Sequence, residues 1–127
     1  MEDEFFGKPN FSYSRSNAIE DGMLVDVTTT ASEAGFNYPV ALTRGVWDQY
    51  VEVPEGVEGQ DQNGRLWDIL NMLNFAIKSR KESESSLIFS VHVRNNNRKP
   101  KPVRLKSVCG PGDDLKPAIT IMLPDED

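Results

Sequence analysis

A chain of 127 residues with 38% apolar and 9% aromatic side chains suits one soluble domain built on a single core. One cysteine and one histidine exclude an internal disulfide and leave zinc, haem and iron–sulfur centres short of ligands, and no apolar run reaches membrane-spanning length. A net charge of −6 opposes indiscriminate binding to nucleic acid or anionic lipid, and the acidic opening Met1-Glu2-Asp3-Glu4 is unlike a secretory leader, so a cytoplasmic protein without membrane association is expected.

From Met1 to Tyr13 the chain carries acids, paired phenylalanines and Gly7-Lys8-Pro9-Asn10 without either structural period, which reads as a loose arm with Phe5, Phe6, Phe11 and Tyr13 as separate anchors. Ser14 is placed to cap one or two helical turns that stop at Gly22, and residues 23–27 are short and β-branched enough for a strand. Thr30-Ala31-Ser32-Glu33 has capping-box spacing, so a short helix is predicted to begin between Thr28 and Thr30 and to end at Gly35. Pro39-Val40-Ala41-Leu42 is an apolar connector or small strand. Thr43 then offers a cap, with Leu42 set to staple against Trp47, for a helix running from Arg44 to about Val51. Residues 52–60 are acidic and full of breakers, an exposed loop.

The one sustained period near 3.6 runs from Asp61 to Lys81. Leu66, Ile69, Leu70, Leu73, Ala76 and Ile77 share a face there, which Trp67, Met72 and Phe75 widen. A residue from Asp61 to Asn63 can cap this helix, and Lys78, Arg80 and Lys81 suit its negative end. After a polar link, Leu87, Phe89, Val91 and Val93 alternate with Ser90, His92 and Arg94, while Ile88 breaks the pattern. Val103, Leu105, Ser107 and Cys109 form a second such run and residues 118–123 a third, joined by breaker-rich links that suit hairpins. The predicted class is therefore α+β: short amino-terminal helices and one long helix packed on a carboxy-terminal antiparallel three-stranded meander, with one early strand available to the sheet edge. Residues 1–13 form the arm, 14–124 the domain and 125–127 an acidic tail without predicted structure.

Charge is strongly segregated. Arg94, Arg98, Lys99, Lys101, Arg104 and Lys106 lie in one stretch without an acid, a local +6 in a chain of −6, so the remainder carries −12. A basic hairpin of this kind can lie along a phosphate backbone, with Asn95, Asn96 and Asn97 as further donors. It can instead keep a sheet edge unpaired or meet an acidic protein surface. The loop lacks the stacking aromatics of single-strand binders, which favours a protein partner over nucleic acid.

Asp113 and Asp114 sit in a glycine-rich turn that can hold a hard cation, and Asp114-x-Lys116 has the spacing of a class of metal-dependent nucleases. That class needs a nearby upstream carboxylate, and none lies between Arg94 and Pro111, so ordinary turn chemistry is expected. The enzymatic alternative is a metal-dependent hydrolase in which Asp61 or Asp68 joins Asp113 and Asp114. His92, without a neighbouring nucleophile, reads as a surface or contact residue, and Cys109 as a small core residue. Arg65 and Asp68 read as an i, i+3 surface pair, and Trp47 and Trp67 as core. No catalytic residue, cofactor or metal ligand is assigned.

Four stretches taken together carry a resemblance: Ala18-Ile19-Glu20-Asp21-Gly22-Met23-Leu24-Val25-Asp26-Val27-Thr28; Glu33-Ala34-Gly35-Phe36 with Pro39-Val40-Ala41-Leu42-Thr43; Gly64-Arg65-Leu66-Trp67-Asp68; and Gly110-Pro111-Gly112-Asp113-Asp114 with Ile119-Thr120-Ile121-Met122-Leu123-Pro124. As a set, spanning nearly the whole chain from Tyr13, they resemble a family of small uncharacterised bacterial proteins carried on plasmids, conjugative elements and phages. The resemblance implies a setting in mobile DNA and brings no site residue with it. The expectation is a non-enzymatic interaction or accessory protein of such an element, contacting its partner through Arg94, Arg98, Lys99, Lys101, Arg104 and Lys106.

Overall fold

The computed structural model describes residues 13–80 and 84–126, so the predicted arm up to residue 12 and link residues 81–83 lie outside the described residues. Ser14 opens helix α1 (Arg15–Glu20) with a capping box: its Oγ accepts from the Asn17 amide at 2.9 Å, and Asn17 Oδ1 accepts from the Ser14 amide. Strand β1 (Leu24–Asp26) leads into helix α2 (Thr28–Glu33). The predicted capping box at Thr30 is not what starts α2. Asp26 Oδ1 accepts from the Thr28 amide at 3.1 Å and from its hydroxyl at 2.5 Å, an Asx-type turn that leaves Thr30 inside the helix.

Strand β2 (Val40–Thr43) runs directly into the turn α3 (Arg44–Val46), where Thr43 Oγ1 accepts from the Val46 amide as expected. The chain then widens into a π-helical turn, Trp47–Val51, which sinks Val51 completely and leaves Trp47 and Tyr50 half-buried.

Helix α4 (Gln62–Ser79) begins on Asp61, whose Oδ1 accepts from the Gly64 amide at 2.6 Å. Leu66, Ile69, Leu70 and Leu73 are buried, and each contributes about 1.5–3 kcal/mol by leaving water. Ala76 and Ile77 pack against them part-buried. The apolar face is narrower than the sequence predicts. Phe75 lies about half a turn from Leu66 at 100° per residue and is 65% exposed, Met72 is exposed too, and Trp67 is half-buried on the flank.

Strands β3 (Ser86–Val93), β4 (Lys101–Pro111) and β5 (Pro117–Met122) form the expected antiparallel meander, with Phe89 opposite Leu105 and Cys109 opposite Ile119. The sheet does not stop at three strands. β5 also pairs in parallel with β2, aligning Val40 with Ile119 and Leu42 with Ile121, and β1 pairs antiparallel with β2. The order β1-β2-β5-β4-β3 makes a mixed five-stranded sheet, with the early strand at its edge only through β2. The fold is α+β, and the correction to a lone meander comes from Val40, Ala41 and Leu42, all fully buried between neighbours that the sequence does not place beside them.

α4 covers the face built by Val40, Leu42, Phe89, Val91, Leu105, Ile119 and Ile121, with Val27, Phe36, Val46 and Val51 closing the core. On the opposite face Arg15 anchors α1, donating to Thr120 Oγ1 at 2.7 Å and to the Ile119 carbonyl at 2.6 Å. In the acidic tail, for which no structure is predicted, Glu126 Oε1 accepts from Thr43 Oγ1 and from the Leu123 amide, each at 2.7 Å. Among the described residues no helix is long and apolar enough to cross a membrane.

Candidate functional site

A charged side chain on the inward phase of an amphipathic helix must find partners or destabilise the fold. Arg65, one residue before Leu66, is such a case: it is only 6% exposed. Its Nε donates to the Val51 carbonyl at 3.1 Å, and Nη1 to Gln60 Oε1 at 2.7 Å and the Arg94 carbonyl at 2.8 Å. Nη2 donates to Asn95 Oδ1 at 2.6 Å. The predicted surface pair with Asp68 is therefore corrected; Arg65 is a buried pin between the π-helical turn, the acidic loop, α4 and the end of β3. Burial draws its guanidinium below the ordinary arginine value, nearby Arg94 adds to this, and the charge of Asp68 opposes it.

The tripeptide Asn95-Asn96-Asn97 completes the same joint. Asn95 Nδ2 donates to the Gln49 carbonyl and Asn97 Nδ2 to the Gly56 carbonyl, both at 2.9 Å. Asn97 Oδ1 accepts from the Glu58 amide at 2.9 Å, and the Arg98 amide donates to Asn96 Oδ1. Arg94 donates to the carbonyls of Glu58 and Asn96. The asparagines expected as phosphate donors thus bind the root of the β3–β4 hairpin to loop 52–60.

This joint divides the six basic candidates. Arg94 is half-buried on backbone oxygens, and Lys106 donates from Nζ to the Glu126 carbonyl at 2.5 Å in a part-buried position. Arg98, Lys99, Lys101 and Arg104 are exposed, and among the described residues none of them pairs with a carboxylate, the ion pair present there being Arg44 with Asp48 at 3.6 Å. Exposed Glu55 and Glu58 lie on the loop to which the hairpin is tied, so cations and carboxylates share one end of the molecule.

In the acidic turn both aspartates accept from backbone amides. Asp113 accepts from the amides of Arg15 and Ser16, one on each carboxylate oxygen at 2.9 Å, and so supplies negative charge to the start of α1. Burial lowers the Arg15 guanidinium from its ordinary value, against the opposing charges of Asp26 and Asp113. Asp114 Oδ1 accepts from the Lys116 amide two residues on, an Asx turn. Among the described residues no three His, Cys, Asp or Glu side chains gather into a cation site, so the convergence of Asp61 or Asp68 with Asp113 and Asp114 is not found. His92 is exposed opposite Pro102, and Cys109 is half-buried on the α4 side of the sheet.

In comparison with known families, the model of the family of unknown function DUF6573 matches residues 4–127. The chain belongs to that family. No curated protein and no solved structure matches it.

Proposed function

We propose that this member of DUF6573 is a non-enzymatic interaction protein that presents Arg98, Lys99, Lys101 and Arg104 to an acidic protein partner. The observation that carries the reading is the joint beneath them. Buried Arg65, with Arg94, Asn95 and Asn97, fixes the hairpin root to the rest of the fold, so four outward cations are held on a rigid base. Preorganised charge of this kind serves recognition, since less ordering is left to occur on binding.

A protein is favoured over nucleic acid on two grounds. The amides of Asn95 and Asn97 are already paired, and Glu55 and Glu58 on the adjoining loop would meet any polyanion laid along the hairpin. A setting in the maintenance, transfer or defence evasion of a bacterial mobile element is part of the proposal and rests on the sequence resemblance alone.

The test is recovery of the tagged protein from its own host, with and without nuclease, beside the Lys99→Glu/Lys101→Glu variant. A partner that survives nuclease and is lost on charge reversal supports the reading. A nuclease-sensitive complex whose affinity falls steeply with salt would replace it with nucleic-acid binding, and a partner indifferent to charge reversal would remove the hairpin from the account.

A further inference from the structure

At the far end of the sheet from the hairpin, a cavity of about 350 Å³ lies between the last turns of α4, residues 35–38 and the sheet. Its floor is Leu87, Ser107, Cys109 and Ile119, inward positions of β3, β4 and β5, and Phe36 and Ile77 supply apolar walls. That volume falls within the roughly 300–1,000 Å³ that small-molecule sites occupy.

Ser107 is the anomaly. Nearly every neighbouring inward position on these strands is apolar, including Phe89, Val91, Leu105 and Ile121, yet this one is a serine, a residue only 6% exposed, whose hydroxyl makes no hydrogen bond among the described residues. An unpaired buried hydroxyl costs about 1–3 kcal/mol, which an alanine or valine at the same place would avoid. The cavity also holds no charge at its floor. Arg80 and Glu84, the charged residues that line it, are both exposed and of opposite sign.

We propose that this cavity binds a small uncharged molecule with an apolar body and one hydroxyl or amide group, whose polar group pairs with Ser107 Oγ while the body rests on Phe36, Ile77 and Leu87. A charge placed on the floor of the cavity would lie unpaired against Leu87, Ile119 and Cys109, since the charged lining residues Arg80 and Glu84 are both exposed. The site is independent of the hairpin: Leu87 stands six strand residues, roughly 20 Å, from Val93.

The probe is 2-naphthol, titrated into the full chain and followed by amide chemical shifts. Saturable shifts confined to Leu87, Ser107, Cys109 and the end of α4 are expected, with a dissociation constant of about 1 mM or tighter for so small a molecule. Ser107→Val should weaken binding about 5- to 10-fold while leaving the melting temperature unchanged or higher, and Ile77→Trp should abolish binding by filling the space. Shifts that fail to saturate or fall elsewhere would overturn the proposal. So would unchanged affinity in Ser107→Val, or a fall in its melting temperature, which would show that the hydroxyl already serves the fold. If Ile77→Trp does not fold, Ser107→Val alone decides. None of these outcomes bears on the partner of the hairpin.

Discussion

Arg65 Nη2 and Asn95 Oδ1 lie 2.6 Å apart although 30 positions separate them in the chain, and through this contact the start of α4 holds the root of the β3–β4 hairpin. The guanidinium also satisfies the carbonyls of Val51 and Arg94, so one side chain ties together α4, the π-helical turn and the end of β3.

Arg65→Met should lower unfolding free energy by about 2–4 kcal/mol in a denaturant titration, because it leaves the carbonyls of Val51 and Arg94 and the amide oxygens of Gln60 and Asn95, all in buried or part-buried positions, without their donor. Arg65→Lys should recover little of this, since an ammonium cannot reproduce the planar fork. A loss under about 1 kcal/mol would show that water replaces the guanidinium.

Asp113→Ala removes the acceptors of the Arg15 and Ser16 amides and should cost about 1 kcal/mol, with faster amide exchange confined to residues 15–20. Unchanged exchange in α1 would mean that Ser14 and Arg15 hold the helix without it.

Among the described residues Leu115 is the non-glycine residue with a positive φ, +67°, and it is 83% exposed in the turn between β4 and β5. A left-handed conformation costs an L-residue roughly 1–2 kcal/mol, and glycine gives part of that back as extra freedom in the unfolded chain. Leu115→Gly should therefore stabilise the protein by about 0.5–1 kcal/mol in thermal or chemical unfolding; destabilisation would assign the leucine side chain a contact.

The Tyr13 hydroxyl donates to Asp21 Oδ2 at 2.5 Å, and this hydrogen bond, with a smaller push from desolvation and from the Asp21 charge, raises the phenol above its usual value of 10.0. The neutral form is the one favoured in the fold, so whatever stability the contact gives is complete below the ordinary phenol range and is lost as pH climbs through the raised value. A spectrophotometric titration should find one tyrosine ionising late, and Asp21→Asn should bring it back; a titration unaltered by that substitution would refute the assignment.

Much of the fold was legible because it rests on local periods. Leu66, Ile69, Leu70 and Leu73 announce α4 by spacing alone, and Phe89, Val91 and Val93 announce β3. What the sequence concealed was long-range. The parallel pairing of Val40 with Ile119 joins positions 79 apart, and nothing in a four-residue run says which strand will lie beside it. Met72 and Phe75 misled because an apolar residue on a helix need not face the core.

The hairpin site was legible in charge but not in roles. Counting cations cannot tell Arg98, which points out, from Arg94, which reaches back to Glu58. Arg65 carried one usable signal, its place on the inward phase beside Leu66, and Ser107 the same signal on a strand.

Because β5 is threaded between β2 and β4, the described strand that a ribosome makes last is also the one that welds the two halves of the sheet. Until residues 117–122 emerge, β1 with β2 and β3 with β4 are two separate ribbons, each with an open flank. A chain ending just short of Pro117 therefore leaves both β2 and β4 with an unpaired edge, the kind of edge that invites pairing with another chain.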